Sequence, residues 1–133
     1  MTRRQLLSAA LFLVAALGLS NAADAGSIQP FDRAIFEEAQ RNSQPVLIEI
    51  SAPWCPVCRA QKPIIEELAA SPDYEGLTVL EVDFDTQKDI VREFGARTQS
   101  TLIMFRGQTE TGRSVGDTDP ARIEALVASG FAG

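Results

Sequence analysis

The sequence predicts an α/β domain with a central mixed sheet of about four strands and helices on both faces. Segments with a helical spacing of apolar residues alternate with short apolar runs that are typical of buried strands. Their order is helix, strand, helix, strand, helix, strand, strand, helix. Such alternation places the strands in one sheet that the helices cover. A chain of 133 residues provides for one such domain at most.

The first 25 residues are predicted to be a signal peptide and not part of this domain. Residues 1–4 are basic, residues 6–19 form an apolar run, and small residues follow. We expect cleavage near residues 22–25, a mature domain over residues 26–133 and a periplasmic location. The paired arginines leave export by the twin-arginine route open beside the general route. An uncleaved anchor is the other alternative, although the run is short for a bilayer span.

Charge limits the classes of partner. The chain carries 12 basic and 18 acidic residues, and loss of the leader would remove two of the basic ones. An acidic domain with scattered arginines lacks the basic face that nucleic acid or an anionic membrane requires. We therefore expect no nucleic-acid partner, no membrane insertion after cleavage, and a monomer that acts on other proteins.

No cofactor is expected. The chain has no histidine and only two cysteines, so a Cys-His protease or a zinc site with mixed ligands lacks a necessary group. Covalent haem attachment also lacks its histidine, because Arg59 follows the second cysteine. Two cysteines cannot complete a four-ligand metal site within one chain. Two chains could, which leaves a metal or iron-sulfur cluster bridged across a dimer as an alternative.

The first half of the domain contains a helix, a buried strand and a second helix. Residues 31–42 place apolar side chains at helical spacing. Residues 46–50 form a nearly continuous apolar run, which favours a strand covered on both faces. The second helix begins near Cys55, and residues 60–70 continue it.

The second half supplies the remaining strands and helices. The pattern predicts a strand over residues 77–84, a short helix over 86–94, a strand over 101–105, a weaker strand over 110–115, and a last helix after Asp119-Pro120.

The two cysteines stand in the run Trp54-Cys55-Pro56-Val57-Cys58. A helix that begins near Cys55 directs its unpaired N–H groups and the positive end of its dipole at that sulfur, which favours thiolate over thiol. Cys58 is one turn further along and close enough to resolve a mixed disulfide. A bridge across two residues closes too small a loop to stabilise the fold appreciably. The pair therefore indicates redox chemistry.

Residues 31–130 resemble the thioredoxin family. Trp54-Cys55-Pro56-Val57-Cys58 follows the buried strand, Pro63 falls where the family has a helix-kinking proline, and Phe94-Gly95 precedes the strand at 101–105. The resemblance implies a thioredoxin-like three-layer sandwich whose opening strand is absent or reduced to a few residues near Ile28. With its opening strand reduced in this way, the chain resembles the trimmed thioredoxin modules of the bacterial envelope.

The resemblance also implies a partner-binding surface around the cysteines, formed by Trp54, Pro56 and Val57 with Gln99, Ser100 and Thr101. The family has a cis-proline where this chain has Ser100. A cis bond without proline costs about 2.5–4 kcal/mol, so we expect a trans bond between Gln99 and Ser100. We also expect the Ser100 hydroxyl to be available to the Cys55 sulfur.

Glu49 stands six residues before Cys55, where the family has a buried carboxylate that exchanges a proton with the second cysteine. Burial in an apolar strand should raise the pKa of this carboxyl group and allow proton transfer near neutral pH. The alternative is an edge-strand glutamate that points to water. Glu81 replaces the lysine that usually accompanies the family's acid, and a second carboxylate should raise the pKa further.

These features predict thiol-disulfide exchange, with Cys55 as nucleophile, Cys58 as resolving cysteine and Glu49 as proton acceptor. The resemblance to envelope modules favours a reductase, which needs a membrane electron donor, over an oxidase, which needs a membrane acceptor. The alternative function is a module that docks partner proteins, or binds the bridged metal, through the same cysteines.

Overall fold

The computed structural model describes residues 26–132. The predicted signal peptide therefore lies outside the described residues. The five strands are β1 (Ser27–Pro30), β2 (Pro45–Ser51), β3 (Thr78–Asp83), β4 (Thr101–Arg106) and β5 (Thr109–Val115). The four α-helices are α1 (Arg33–Arg41), α2 (Pro56–Ala70), α3 (Lys88–Glu93) and α4 (Pro120–Ser129), and one turn of 3₁₀ helix (Pro72–Tyr74) follows α2.

The strands form one mixed sheet in the order β1-β3-β2-β4-β5. Strands β1 and β2 are parallel to β3, whereas β4 is antiparallel to both β2 and β5. The predicted opening strand is present in reduced form as β1, so the sheet has five strands where the sequence indicated about four. Strand β2 is central, which explains its continuous run of buried residues.

The core has two layers, one on each face of the sheet. Even-numbered residues of β2, including Ile48 and Ile50, pack with an aromatic cluster from α1 and α3 that contains Phe36 and Phe94. Leu47 of the same strand packs on the other face, against α2 and α4. Because side chains alternate along a strand, Glu49 lies on the α2 face together with Leu47. Strand β2 therefore places one acid directly beneath the helix that carries both cysteines.

The predicted helices and strands are confirmed, and their ends differ by a few residues because capping side chains set them. Asp32 caps α1 through its carboxylate, so that helix begins at Arg33. Asp119 caps α4, where Ile123 and Val127 are buried as predicted. Pro63 lies inside α2. Within residues 26–132, no helix is both long and apolar enough to cross a membrane.

Candidate active site

Cys55 and Cys58 form a disulfide at the N-terminus of α2, with Cα atoms 5.3 Å apart. Cys55 is the N-cap residue, and its Sγ accepts a hydrogen bond from the N–H of Cys58 at 3.1 Å. This is the arrangement that the sequence predicted for a stabilised thiolate. Both residues are nearly inaccessible, with 1% and 3% of their surfaces exposed.

Trp54 immediately precedes Cys55, and 53% of its surface is exposed. Its indole N–H donates to the Asp85 carboxylate at 2.7 Å, which fixes the ring at the surface. Pro56 is also exposed, and Val57 is half-buried against the cysteines. The three residues predicted to contact partners on this side are therefore next to the disulfide.

A cleft of about 380 Å³ opens beside Cys58, on the face of the sheet that α2 covers. Its lining includes Ser51 of β2, Lys62 of α2 and Glu81 of β3. The Lys62 ammonium lies 4.0 Å from the Glu81 carboxylate. We call this space the Cys58 cleft. Cys58, Lys62 and Glu81 all line it.

Glu49 is 4% exposed and lies in the central strand, so the alternative of an edge-strand glutamate is wrong. It is the register partner of Glu81 across the parallel pair β2 and β3. Burial, and then repulsion from Glu81, raise the pKa of Glu49 to about 7, whereas Lys62 lowers it. The expectation of a carboxyl group that exchanges protons near neutral pH therefore agrees with the geometry.

Residues 98–101, which lead into β4, form the other wall of the predicted site. Ser100 has φ +59°, in the left-handed region that side chains other than glycine seldom adopt. Within residues 26–132 no peptide bond is cis, so the Gln99-Ser100 bond is trans as expected. The N–H of Ser100 donates to Ile50 at 2.7 Å, and its carbonyl accepts from the N–H of Gly116 at 2.9 Å.

Two expectations about this segment need correction. The Ser100 hydroxyl donates to the carbonyl of Gln99 at 2.5 Å, so it does not serve the Cys55 sulfur. The Thr101 side chain is buried and donates to the carbonyl of Thr98 at 2.8 Å, so it braces the segment and does not face a partner. Gln99 is half-buried, and its side-chain oxygen accepts from the Thr98 hydroxyl at 3.0 Å. Short local hydrogen bonds are the reason for both differences.

Gln61 connects this segment to α2. It is fully buried, at 0% exposure, and its Nε2 donates to the carbonyls of Ser100 at 3.3 Å and Asp117 at 2.8 Å. Its Oε1 is buried and has no hydrogen-bond partner among residues 26–132. A buried unpaired acceptor costs about 1–3 kcal/mol, so the fold alone gains little from an amide at this position.

Four residues of the site and its surroundings could not be recognised from the sequence: Gln61, Lys62, Asp85 and Val115. Gln61 and Lys62 are consecutive residues of one helix. Gln61 is a polar residue at a buried position, which is only a weak indication of function, and Lys62 is exposed. The Asp85 carboxylate accepts from Trp54, and no local sequence pattern indicates this contact. Val115 pairs with Thr101 and, with Trp54, is one of two exposed large apolar residues within 26–132. Asp85 and Val115 are brought to Trp54 and Thr101 only by the folded structure.

A disulfide between two cysteines separated by two residues, with the first cysteine as the N-cap of a helix in this α/β fold, defines a thiol-disulfide oxidoreductase. Comparison with known proteins agrees. The thioredoxin family model matches residues 27–129, and the chain belongs to that family.

Individual relatives support the assignment. The chain is 31% identical over 97 residues to thioredoxin Asp f 29 of Aspergillus fumigatus, covering 72% of this chain and 87% of the relative. It is 30% identical over 95 residues to a thioredoxin of Alicyclobacillus acidocaldarius, covering 71% and 90% of the two chains. The crystal structure of Trxlp from Edwardsiella tarda is 40% identical and superposes with a TM-score of 0.73, covering 76% and 98%.

The raised pKa of Glu49 predicts that stability depends on pH. Folding favours the protonated carboxyl group, so this contribution is fully present below about pH 4.5 and is lost as the pH rises through about 7. Glu49→Gln stays neutral. Urea unfolding of the oxidised protein should show the wild type losing up to about 3 kcal/mol relative to this variant between pH 4.5 and pH 8. Glu38→Gln, at an exposed site, is the control; equal pH profiles for wild type and Glu49→Gln would contradict the prediction.

Replacing Ser100 by the family's proline should destabilise this protein. Proline fixes φ near −65° and has no N–H, whereas Ser100 has φ +59° and donates to Ile50. We expect Ser100→Pro to lower the free energy of unfolding by about 3 kcal/mol, measured by urea denaturation. Ser100→Gly accepts the same φ and should stay within about 1 kcal/mol of wild type. A proline variant as stable as wild type would show that the segment readily adopts another conformation.

Proposed function

We propose that this protein reduces disulfides in partner proteins of the bacterial envelope. The observation that carries the proposal is the Cys55–Cys58 disulfide, which lies at the N-terminus of α2. The buried Glu49, whose pKa is about 7, is on the face of the sheet that this helix covers. Such a site can hold a thiolate, pass two electrons to a partner, and manage the accompanying proton at working pH.

The reaction begins with the reduced protein. The Cys55 thiolate, stabilised by the N–H of Cys58 and the end of α2, attacks one sulfur of the partner disulfide. A mixed disulfide forms, and the partner's other sulfur leaves as a thiolate. Cys58 then loses its proton and attacks the Cys55 sulfur, which releases the partner's second thiolate and closes the bridge. Two electrons have passed to the partner.

Glu49 is the proposed acceptor of the Cys58 proton. It lies on the α2 face of β2, and its register partner Glu81 lines the Cys58 cleft. A carboxyl group with a pKa of about 7 is partly ionised at neutral pH, so it can take the thiol proton and later release it. The cleft gives water a route to Cys58, through which that proton can leave.

The partner surface is proposed to combine two exposed apolar side chains with the backbone near Gln99. Trp54 lies on one side of the disulfide, and Val115 lies beside the 98–101 segment, because Gly116 donates to Ser100. The net formal charge of the chain is −6, so a neutral or basic partner surface approaches more readily than an acidic one. Disulfide-containing proteins are the proposed partners.

Direction and location are also part of the proposal. The resemblance to thioredoxins supports the reductase direction, and the apolar start of the chain supports export to the periplasm. After each reaction the cysteine pair of an exported reductase must be reduced again. We propose a membrane protein as the donor of those electrons. The alternative is a docking or metal-bridging module that uses the same cysteines and is separated from the reductase by the cysteine variants below.

Cysteine substitution separates these functions. With the reduced protein and insulin as disulfide substrate, thiol titration should show that Cys55→Ser loses roughly 1,000-fold or more in rate. Cys58→Ser should instead accumulate a mixed disulfide, visible by non-reducing electrophoresis. A Cys55→Ser variant as fast as wild type would remove the enzymatic proposal. A partner complex that survives Cys55→Ser would support docking, and one metal per dimer that is lost with it would support the bridged site.

The reduction potential tests the direction. Equilibration with glutathione should place the Cys55–Cys58 couple nearer to about −270 mV than to about −120 mV, the values of a strong reductant and a strong oxidant of this chemistry. A value at the oxidising end would overturn the reductase proposal. N-terminal sequencing of the protein from a periplasmic fraction tests export, since the proposal requires a mature end near residues 22–25.

A further inference from the structure

Gln61 is a buried polar side chain that the proposed exchange reaction does not use. It lies on α2, three residues after Cys58, and is fully buried. Its Nε2 reaches two backbone carbonyls outside the helix, those of Ser100 and Asp117. Residues three apart on a helix share a face, so one turn of α2 carries both a reactive sulfur and this amide.

The contact falls on the strained residue of the 98–101 segment. Ser100 is held at φ +59° by its N–H bond to Ile50 and by two donors to its carbonyl, the N–H of Gly116 and Nε2 of Gln61. The first two bonds join the segment to the sheet and to the turn after β5. The Gln61 bond alone joins its backbone to the helix that carries the cysteines.

Because Oε1 is unpaired among residues 26–132, the Gln61 amide contributes through its N–H donors and not through its oxygen. Its surroundings offer no hydrogen to that oxygen. An apolar side chain of similar length would avoid a buried unpaired acceptor. It would also leave the Ser100 carbonyl with its bond from Gly116. The Asp117 carbonyl would lose its bond from Nε2 at 2.8 Å. Glutamine at this position therefore serves the bonds that join α2 to the segment and to the turn after β5.

We propose that Gln61 is a positioning residue that holds the 98–101 segment in register with the Cys55–Cys58 pair. This inference rests on the proposed reductase function, since the segment matters for turnover only where a partner chain lies across it. Loss of the bond lets the segment move relative to the sulfurs. Affinity for a polypeptide disulfide then falls, while the reactivity of the cysteines themselves stays as it was.

The test compares Gln61→Met with wild type in the purified protein. Methionine has similar length, is flexible and suits apolar surroundings. The matched control is Gln40→Met, a glutamine of α1 that is half-buried on the opposite face of the sheet. Two disulfides serve as probes: insulin, which presents a polypeptide chain, and 5,5′-dithiobis(2-nitrobenzoic acid), which does not. Hydrogen exchange of the Ser100 and Gly116 amides reports the segment independently of turnover.

If Gln61 positions the segment, Gln61→Met should affect activity with the two disulfides differently. For Gln61→Met, KM for insulin should rise about fivefold to tenfold with kcat little changed, and the rate with the small disulfide should stay within twofold of wild type. Exchange of the Ser100 and Gly116 amides should quicken about tenfold, with the Ile48 amide of β2 unchanged. Gln40→Met should match wild type in every measurement.

Other results overturn the proposal. An equal loss of activity with both disulfides would mean that Gln61 acts on the cysteines themselves. Unchanged activity with both disulfides, or unchanged hydrogen exchange of the Ser100 and Gly116 amides, would show that Gln61 has no positioning role. Failure of both Gln61→Met and Gln61→Leu to fold would make the residue structural. If wild type reduces neither probe, the reductase function fails, and hydrogen exchange by itself decides whether Gln61 holds the segment.

Discussion

The site depends on one junction, where central strand β2 ends at Ser51 and helix α2 begins after Cys55. The Cys58 N–H that points to the Cys55 sulfur exists because a helix N-terminus has unpaired donors. The same strand end supplies the Ile50 carbonyl that anchors Ser100. Cysteines, buried acid and 98–101 segment are thus supported by a single strand that neighbouring strands hold on both sides. Movement of β2 would disturb all three together.

The sequence allowed most of the fold to be predicted, because the signals for it are local. Strand β2 is an uninterrupted apolar run, and α4 follows an Asp-Pro start, so hydrophobic period and capping chemistry sufficed. The cysteine pair and Glu49 could likewise be recognised from spacing. Ser100 and Gln61 could not be assigned correctly, because 39 residues separate the two partners and no local pattern encodes their contact. Only the folded chain shows that the serine hydroxyl bonds its own neighbour.

Two charged residues shift the pKa of Glu49 in opposite directions, in addition to the larger effect of burial. Glu81 occupies the strand position where a lysine was expected, and this raises the pKa of Glu49. A lysine nevertheless faces the same cleft from α2, and Lys62 lowers that pKa. The two residues form an ion pair that is partly exposed, so its own contribution to stability is small. Burial is the main cause of the raised pKa of Glu49, and these two residues adjust that pKa more than they adjust the stability of the fold.

The raised pKa of Glu49 bears on how the reduction potential of the cysteine pair varies with pH. Reduction of a disulfide to two thiols consumes protons as well as electrons, so the potential of the pair varies with pH. A carboxyl group with a pKa of about 7 adds its own proton exchange wherever its proton affinity differs between the two redox states. The driving force of the protein then responds to the acidity of its compartment. In a compartment that equilibrates with the surrounding medium, the buried glutamate would add to the dependence of reducing power on external pH.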